Sequence, residues 1–270
     1  MAIVGKCKLC LRPDMELRDS HFMPRALYTL LRTPERKNAN PVVISHVRAR
    51  TTSAQASDYV FCGDCEQRFS KHGESWVMAH CSRKNEEFLL RDALRTVTPI
   101  WPDSDLLVYR AAEIPAIDVP KLIYFAASVF WRASIHEWEI EGERASSIYL
   151  GTRYEELLRR YLVGETEFPE NACLWVSVVR GDHVFPAIYP PVGAKKNNYW
   201  EYRFVIPGIM FHMCVGGQMR SNEIRKLCTL RSEGNLIYSS EKVDQGIIES
   251  MGSLIGQARP TGSLVKRKQA

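Results

Sequence analysis

The stretch CKLCLRPDMELRDSHFMPRALY, Cys7 to Tyr28, is answered by FCGDCEQRFSKHGESW, Phe61 to Trp76, and these two segments decide how the chain is read. Each holds a Cys-x-x-Cys turn, which lets two thiolates converge on one ion. Two such turns supply the four ligands of a tetrahedral structural zinc site, so Cys7, Cys10, Cys62 and Cys65 are expected to share a Zn²⁺. A redox-active dithiol needs only one such pair beside a strand–helix unit, and a second pair favours metal over redox chemistry. The gap between the pairs exceeds the usual spacing. Residues 32–58 account for the excess, with polar, turn-rich RTPERKNANP and ARTTSAQASD flanking a strand-like VVISHVRA.

Between the pairs, His21 ends a segment expected to be extended, and Pro24 followed by ALYTLL opens a helix. An imidazole at a strand end is placed to take a proton from water, because its ordinary pKa lies near neutrality. Charge is uneven along the chain. Residues 1–50 carry ten Lys and Arg against four Asp and Glu, whereas residues 101–270 carry twenty of each. A basic face beside a metal site suits a polyanionic partner, since neutralised phosphates release counterions.

The order of these elements, C-x2-C, nine residues, S-H-x-x-P, then C-x-x-C-E-x-x-F-S, resembles the HNH endonuclease superfamily, the ββα-metal nucleases in their zinc-ribbon form. The resemblance covers about residues 5–80. It implies that His21 is the general base that activates water for attack on a phosphodiester. It also implies that Glu66, directly after Cys65, is the helix ligand of a catalytic Mg²⁺ or Mn²⁺, completed by some of Asp19, His72 and Glu74. Arg12, Arg18, Arg25 and Arg32 are then the candidates for holding the nucleic-acid backbone, with Arg25 first among them. The chain departs from the pattern twice. Ser20 stands where the family carries an acidic or His ligand, and Ser70 stands one helical turn after Glu66 where a second helix His is often found.

The rest of the chain adds architecture rather than motifs. Four prolines among residues 99–120 mark a boundary between a zinc-ribbon head, residues 1–100 with the insertion at 32–58, and a second α+β domain, residues 118–270. PKLIYFAASVFWRASIHEW (120–138) is apolar on nearly every helical face and is expected to be a buried helix. GTRYEELLRRYLVG (151–164) has a capping-box pattern at Thr152 and Glu155 and a glycine stop. CLWVSVVRGDHVFPAIY reads as a hairpin turning at Gly181–Asp182, and NYWEYRFVIPGIMFHMCVGG as two strands broken at Pro207–Gly208. A last helix is expected within 240–256, before a basic tail, VKRKQA. Cys81, Cys173, Cys214 and Cys228 read as single packed hydrophobes, and Trp131, Trp138, Trp175 and Trp200 as core.

The expected fold class is therefore α+β: a ββα-metal head followed by a mixed domain of helices and antiparallel sheet. Composition excludes a disulfide scaffold, and no apolar run reaches the length of a membrane span. With no apolar leader in MAIVGKCKLC, the expected setting is reducing and cytoplasmic. Three function classes stay open. The first is a metal-dependent endonuclease, DNA favoured over RNA, of the kind found in bacterial or phage defence. The second is a silent zinc-containing nucleic-acid-binding module. The third is a zinc-stabilised interaction domain working through residues 118–270, as a homodimer or with a partner protein.

Overall fold

The computed structural model describes residues 2–32, 40–44, 48–83, 86–146, 148–242 and 258–265. Strands β1 (Val4–Gly5) and β2 (Met15–His21) open the chain, and helix α1 (Arg25–Leu31) follows Pro24. Next come β3 (Val42–Ile44), β4 (Arg48–Thr51) and β5 (Ser57–Cys62), the last running into α2 (Gly63–Phe69). A π-helical segment, Ser70–Glu74, carries α2 without interruption into α3 (Ser75–His80). Past it lie α4 (Leu89–Leu94), β6 (Trp101–Pro102), β7 (Leu107–Arg110), the long α5 (Val119–Ile135), the short pair β8 (Glu139–Ile140) and β9 (Glu143–Arg144), and α6 (Thr152–Val163). The chain continues through β10 (Ala172–Val179), β11 (Tyr189–Lys196), β12 (Tyr199–Ile206), β13 (Ile209–Val215), α7 (Asn222–Arg225), β14 (Leu236–Ser240) and β15 (Arg259–Pro260).

The molecule is of mixed α+β construction. A small sheet, β1-β2-β5, carries the cysteine turns, and a seven-stranded sheet, β11-β12-β13-β10-β14-β7-β6, forms the larger layer. Helix α5 lies between the two. Its apolar residues cover every face, so it cannot sit at a surface, and its buried residues run almost unbroken from Val119 to Ala133. Toward the large sheet, Phe125 meets Phe211 at 5.5 Å between ring centroids and Phe130 meets Phe204 at 4.9 Å. Toward the small sheet, Trp131 stacks on Phe61 at 5.8 Å, and Phe61 packs edge-on against Phe69 of α2 at 5.2 Å. These aromatic contacts tie both sheets into one buried cluster.

The N-terminus of α5 is capped by Asp118, whose carboxylate accepts the Lys121 N–H, with Pro120 in the first turn. Helix α6 stops at Gly164 in the left-handed conformation, as its sequence anticipates. Its start differs. Gly151 is the cap, Thr152 is already helical, and the Glu155 carboxylate accepts the Ser134 hydroxyl instead of closing a capping box.

Two strand expectations need correction. The turn at Pro207–Gly208 does join β12 to β13, with Ile206 opposite Ile209, and Gly208 is indispensable there because a Cβ would fall 2.5 Å from the Phe88 ring. The expected hairpin at Gly181–Asp182 does not form. β10 pairs instead with β13 antiparallel and with β14 in parallel, so the large sheet is mixed. Buried Arg91 draws the 181–182 carbonyls away, donating to Gly181 O at 2.9 Å and Asp182 O at 3.2 Å. In the insertion, VVISHVRA supplies two strands, β3 and β4, which pair with each other, while β15 joins β4. Arg50 of β4 anchors them through ion pairs to Glu141 and Glu143.

Cys173 and Cys228 form a disulfide, correcting their reading as single thiols, whereas Cys81 and Cys214 are free and buried. Trp200 is exposed, stacked on Tyr202 rather than packed in the core. The helix expected within 240–256 falls mostly on residues outside those described, as does most of the basic tail. Among the described residues no helix is long and apolar enough to cross a membrane.

Candidate metal centre

Four sulfurs converge at the N-terminal end of α2. Cys7 and Cys10 bracket a tight turn, closed by the Leu11 N–H donating to Cys7 O at 2.9 Å, with Leu11 at a φ of 61°. Cys62 ends β5 as the N-cap of α2, and Cys65 lies within its first turn. The strand pairing of β2 with β5, Leu17 opposite Cys62, holds the two turns face to face. The ligand atoms of Cys7, Cys10, Cys62 and Cys65 all lie within 4.8 Å of one another. A zinc ion about 2.3 Å from each sulfur sets tetrahedral sulfurs about 3.8 Å apart. The Cys10 and Cys62 sulfurs are 3.9 Å apart.

The surroundings favour thiolate. The Cys62 N–H donates to Cys7 Sγ at 3.4 Å, and Arg12 donates to Cys10 Sγ at 3.4 Å and to Cys62 Sγ at 3.7 Å. The hydrogen bond from the Cys65 thiol brings Cys7 down to about 4, and that same bond raises Cys65. Burial raises Cys62. The cluster fits Zn²⁺ on number, softness and spacing of donors.

The candidate site for a second ion lies below the cysteines, on the inner side of β2 and the helix. The register of β2 against β5 shifts between Arg18 and Asp19, where Val60 of β5 is the extra residue. Ser20 there is fully buried and Asp19 exposed. Ser20 accepts the Phe61 N–H at 3.2 Å and donates its own hydroxyl proton to Arg18 O at 3.1 Å. His21 follows at the strand end, half-buried. Glu66 Oε1 is buried with no hydrogen-bond partner among the described residues. Burial lifts the Glu66 carboxyl above its ordinary range, offset only in part by the Ser20 hydroxyl and the charge of Arg132.

Glu66 and Glu74 are eight residues apart. On a uniform α-helix that spacing turns them about 80° away from each other. The π segment adds a residue to the turn, so the separation acts as about seven residues, or two turns. Glu74 thereby comes round to the side of Glu66, and the two carboxylates sense each other and share Arg132 as a neighbouring charge.

Other residues singled out in the sequence lie apart. His72 is exposed, its ring 5.3 Å from Tyr124, and burial with nearby Arg68 and Lys71 lowers its pKa. Ser70 is exposed and bonded to Ser75 at 2.9 Å. Arg18 is exposed and paired with Glu16 at 3.0 Å. Arg25 and Arg32, at opposite ends of α1, are both exposed. Arg12 is engaged by the cysteine sulfurs and by Asp64 at 2.6 Å. Among the described residues, the four cysteines are the only group of three or more His, Cys, Asp or Glu side chains with converging ligand atoms.

Arg132 of α5 escapes a motif-based reading, yet a signal for it exists. It is a lone charge deep in an apolar helical run, and a buried charge must find partners. A second link joins α5 to the cysteine turn. Lys8 donates to Ile135 O at 2.8 Å and to His136 Nδ1 at 3.0 Å, and His136 Nε2–H donates to Asp58 at 2.8 Å. No protein-family model, curated protein or solved structure matches this chain.

Proposed function

We propose that the protein is a metal-dependent endonuclease that hydrolyses phosphodiester bonds, with DNA as the favoured substrate. His21 acts as general base toward water, and the cysteine cluster with its zinc ion holds the base in place. The observation that carries this reading is the buried, unpartnered Glu66 Oε1, on the residue that follows Cys65 and with Ser20, the chain neighbour of His21, acting on its carboxyl. An unsatisfied buried carboxylate oxygen costs stability, and such a cost is met at positions kept for a ligand. Its chemistry suits a hard cation such as Mg²⁺ or Mn²⁺, which takes its remaining ligands from water and phosphate. When bound, such an ion supplies charge stabilisation at the scissile phosphate. Arg18, Arg25 and Arg32 are exposed on or beside the elements that bear His21, available to the nucleic-acid backbone.

One observation favours a second reading, a silent nucleic-acid-binding module. Glu74 is engaged by Arg132 and His72 lies at the surface, so neither converges with Glu66 on an ion. The test is cleavage of supercoiled plasmid, single-stranded DNA and RNA by zinc-loaded protein in Mg²⁺ or Mn²⁺, alongside His21→Ala of matched stability. The nuclease reading expects a loss of about 100-fold or more in the variant. Equal cleavage by both removes His21 from the chemistry. Salt-dependent binding with no cleavage by either establishes the silent module.

A further inference from the structure

Arg132 is the only charged residue among the buried positions of α5, and its side chain is 2% exposed. Four hydrogen bonds hold its guanidinium. Nη1 donates to the backbone carbonyl of His21 at 3.0 Å, and Nη2 to Glu74 Oε1 at 2.7 Å and Ser128 Oγ at 3.2 Å. Nε donates to Ser128 O at 3.3 Å, and the guanidinium lies 4.9 Å from the Phe69 ring centroid. The ring belongs to the same helix as Glu66. One side chain of α5 therefore grips β2, the π segment and α2 together.

We propose that Arg132 is a positioning residue of the phosphodiesterase site, fixing the peptide of His21 and the carboxylate of Glu74 in a single arrangement. The proposal rests on the nuclease reading above. Taking a guanidinium out of water costs several kcal/mol. An apolar side chain of similar length would join α5 to its neighbours without that cost. The partners chosen are specific: the carbonyl of the candidate base and the carboxylate that the π segment swings toward Glu66. The planar fork spans both at once, which a lysine ammonium does not do with fixed geometry. Displacement of a base by about 1 Å lowers turnover by about 100-fold, so a clamp at this point acts on rate rather than on substrate binding.

The experiment uses full-length, zinc-loaded protein and compares Arg132→Met, Arg132→Lys, Phe130→Leu and His21→Ala, each assayed well below its melting temperature. Phe130 packs on Phe204 and Tyr202 of the large sheet, away from the head, and controls for lost stability alone. The expected result is a fall in kcat of about 100-fold for Arg132→Met with KM within about threefold of wild type. Arg132→Lys recovers part of that kcat, and Phe130→Leu keeps wild-type kcat at a similar loss of stability. Wild-type kcat in Arg132→Met, an effect confined to KM, or an equal kcat loss in Phe130→Leu overturns the proposal while an inactive His21→Ala leaves the nuclease reading standing. Full activity in His21→Ala overturns both.

Discussion

Gly73→Ala tests whether α5 is seated on the π segment as closely as the structure has it. A Cβ at position 73 would lie 2.8 Å from the backbone nitrogen of Phe125 and 3.0 Å from its Cα and Cβ. Ordinary contact begins at 3.4 Å, so the two helices must separate by 0.6 Å or more. Two of the obstructing atoms are backbone and the third is the Phe125 Cβ, so no side-chain rotation clears them. Overpacking of this kind costs about 1–3 kcal/mol. Helix propensity works the other way, since alanine is favoured over glycine in a helix by up to about 1 kcal/mol. With the full propensity gain subtracted, the net expectation is a destabilisation of up to about 2 kcal/mol, or a few degrees in Tm for a chain of this length. Urea unfolding with matched m-values measures it. A variant more stable than wild type by about 1 kcal/mol, the full alanine gain with no packing cost, refutes the close docking and with it the route by which Arg132 reaches His21.

Two further outcomes follow from the metal centre. Cys62→Ser removes one of the four sulfurs, so zinc content falls from one equivalent per chain toward zero. A structural zinc contributes roughly 10–16 kcal/mol in small zinc domains, comparable to the whole stability of a folded chain, so the head loses structure by circular dichroism. A folded variant that retains one zinc would exclude the four-cysteine site. Glu66→Gln is expected to stabilise the divalent-free protein at pH 7 while abolishing cleavage. A carboxyl whose pKa is raised by folding stabilises only at low pH and loses that contribution as pH rises through its folded value, and the amide avoids the loss. The gain should therefore vanish at acid pH. A Glu66→Gln variant less stable than wild type at pH 7 would mean that Glu66 is an ordinary satisfied carboxylate.

The sequence made some of this legible and hid the rest for identifiable reasons. Paired Cys-x-x-Cys turns bring ligands together by local geometry, and so the cysteine site could be read directly. The bounds of α5 and α6 rest on an apolar pattern with Pro120 and Gly164 as local punctuation. Pairing between distant strands has no such local mark. Gly181–Asp182 has the composition of a hairpin turn, yet β10 finds its neighbours in β13 and β14, and Arg91 redirects the turn. The link between Cys173 and Cys228, with a sequence separation of 55, depends on the same non-local arrangement. The placement of Ser20 goes with a register shift between β2 and β5, and the alignment of Glu74 with Glu66 needs a π segment. Neither irregularity follows from periodicity, and both shape the candidate site.

The central claim is that His21 makes water a nucleophile toward a phosphodiester. Cleavage in ¹⁸O-enriched water with zinc-loaded protein and Mg²⁺ or Mn²⁺, followed by mass analysis of the product ends, measures this directly. One ¹⁸O in the terminal phosphate per bond broken by wild type, with no product above background from His21→Ala, is the expected result. Unlabelled termini, or labelled product from His21→Ala at the wild-type rate, would contradict it.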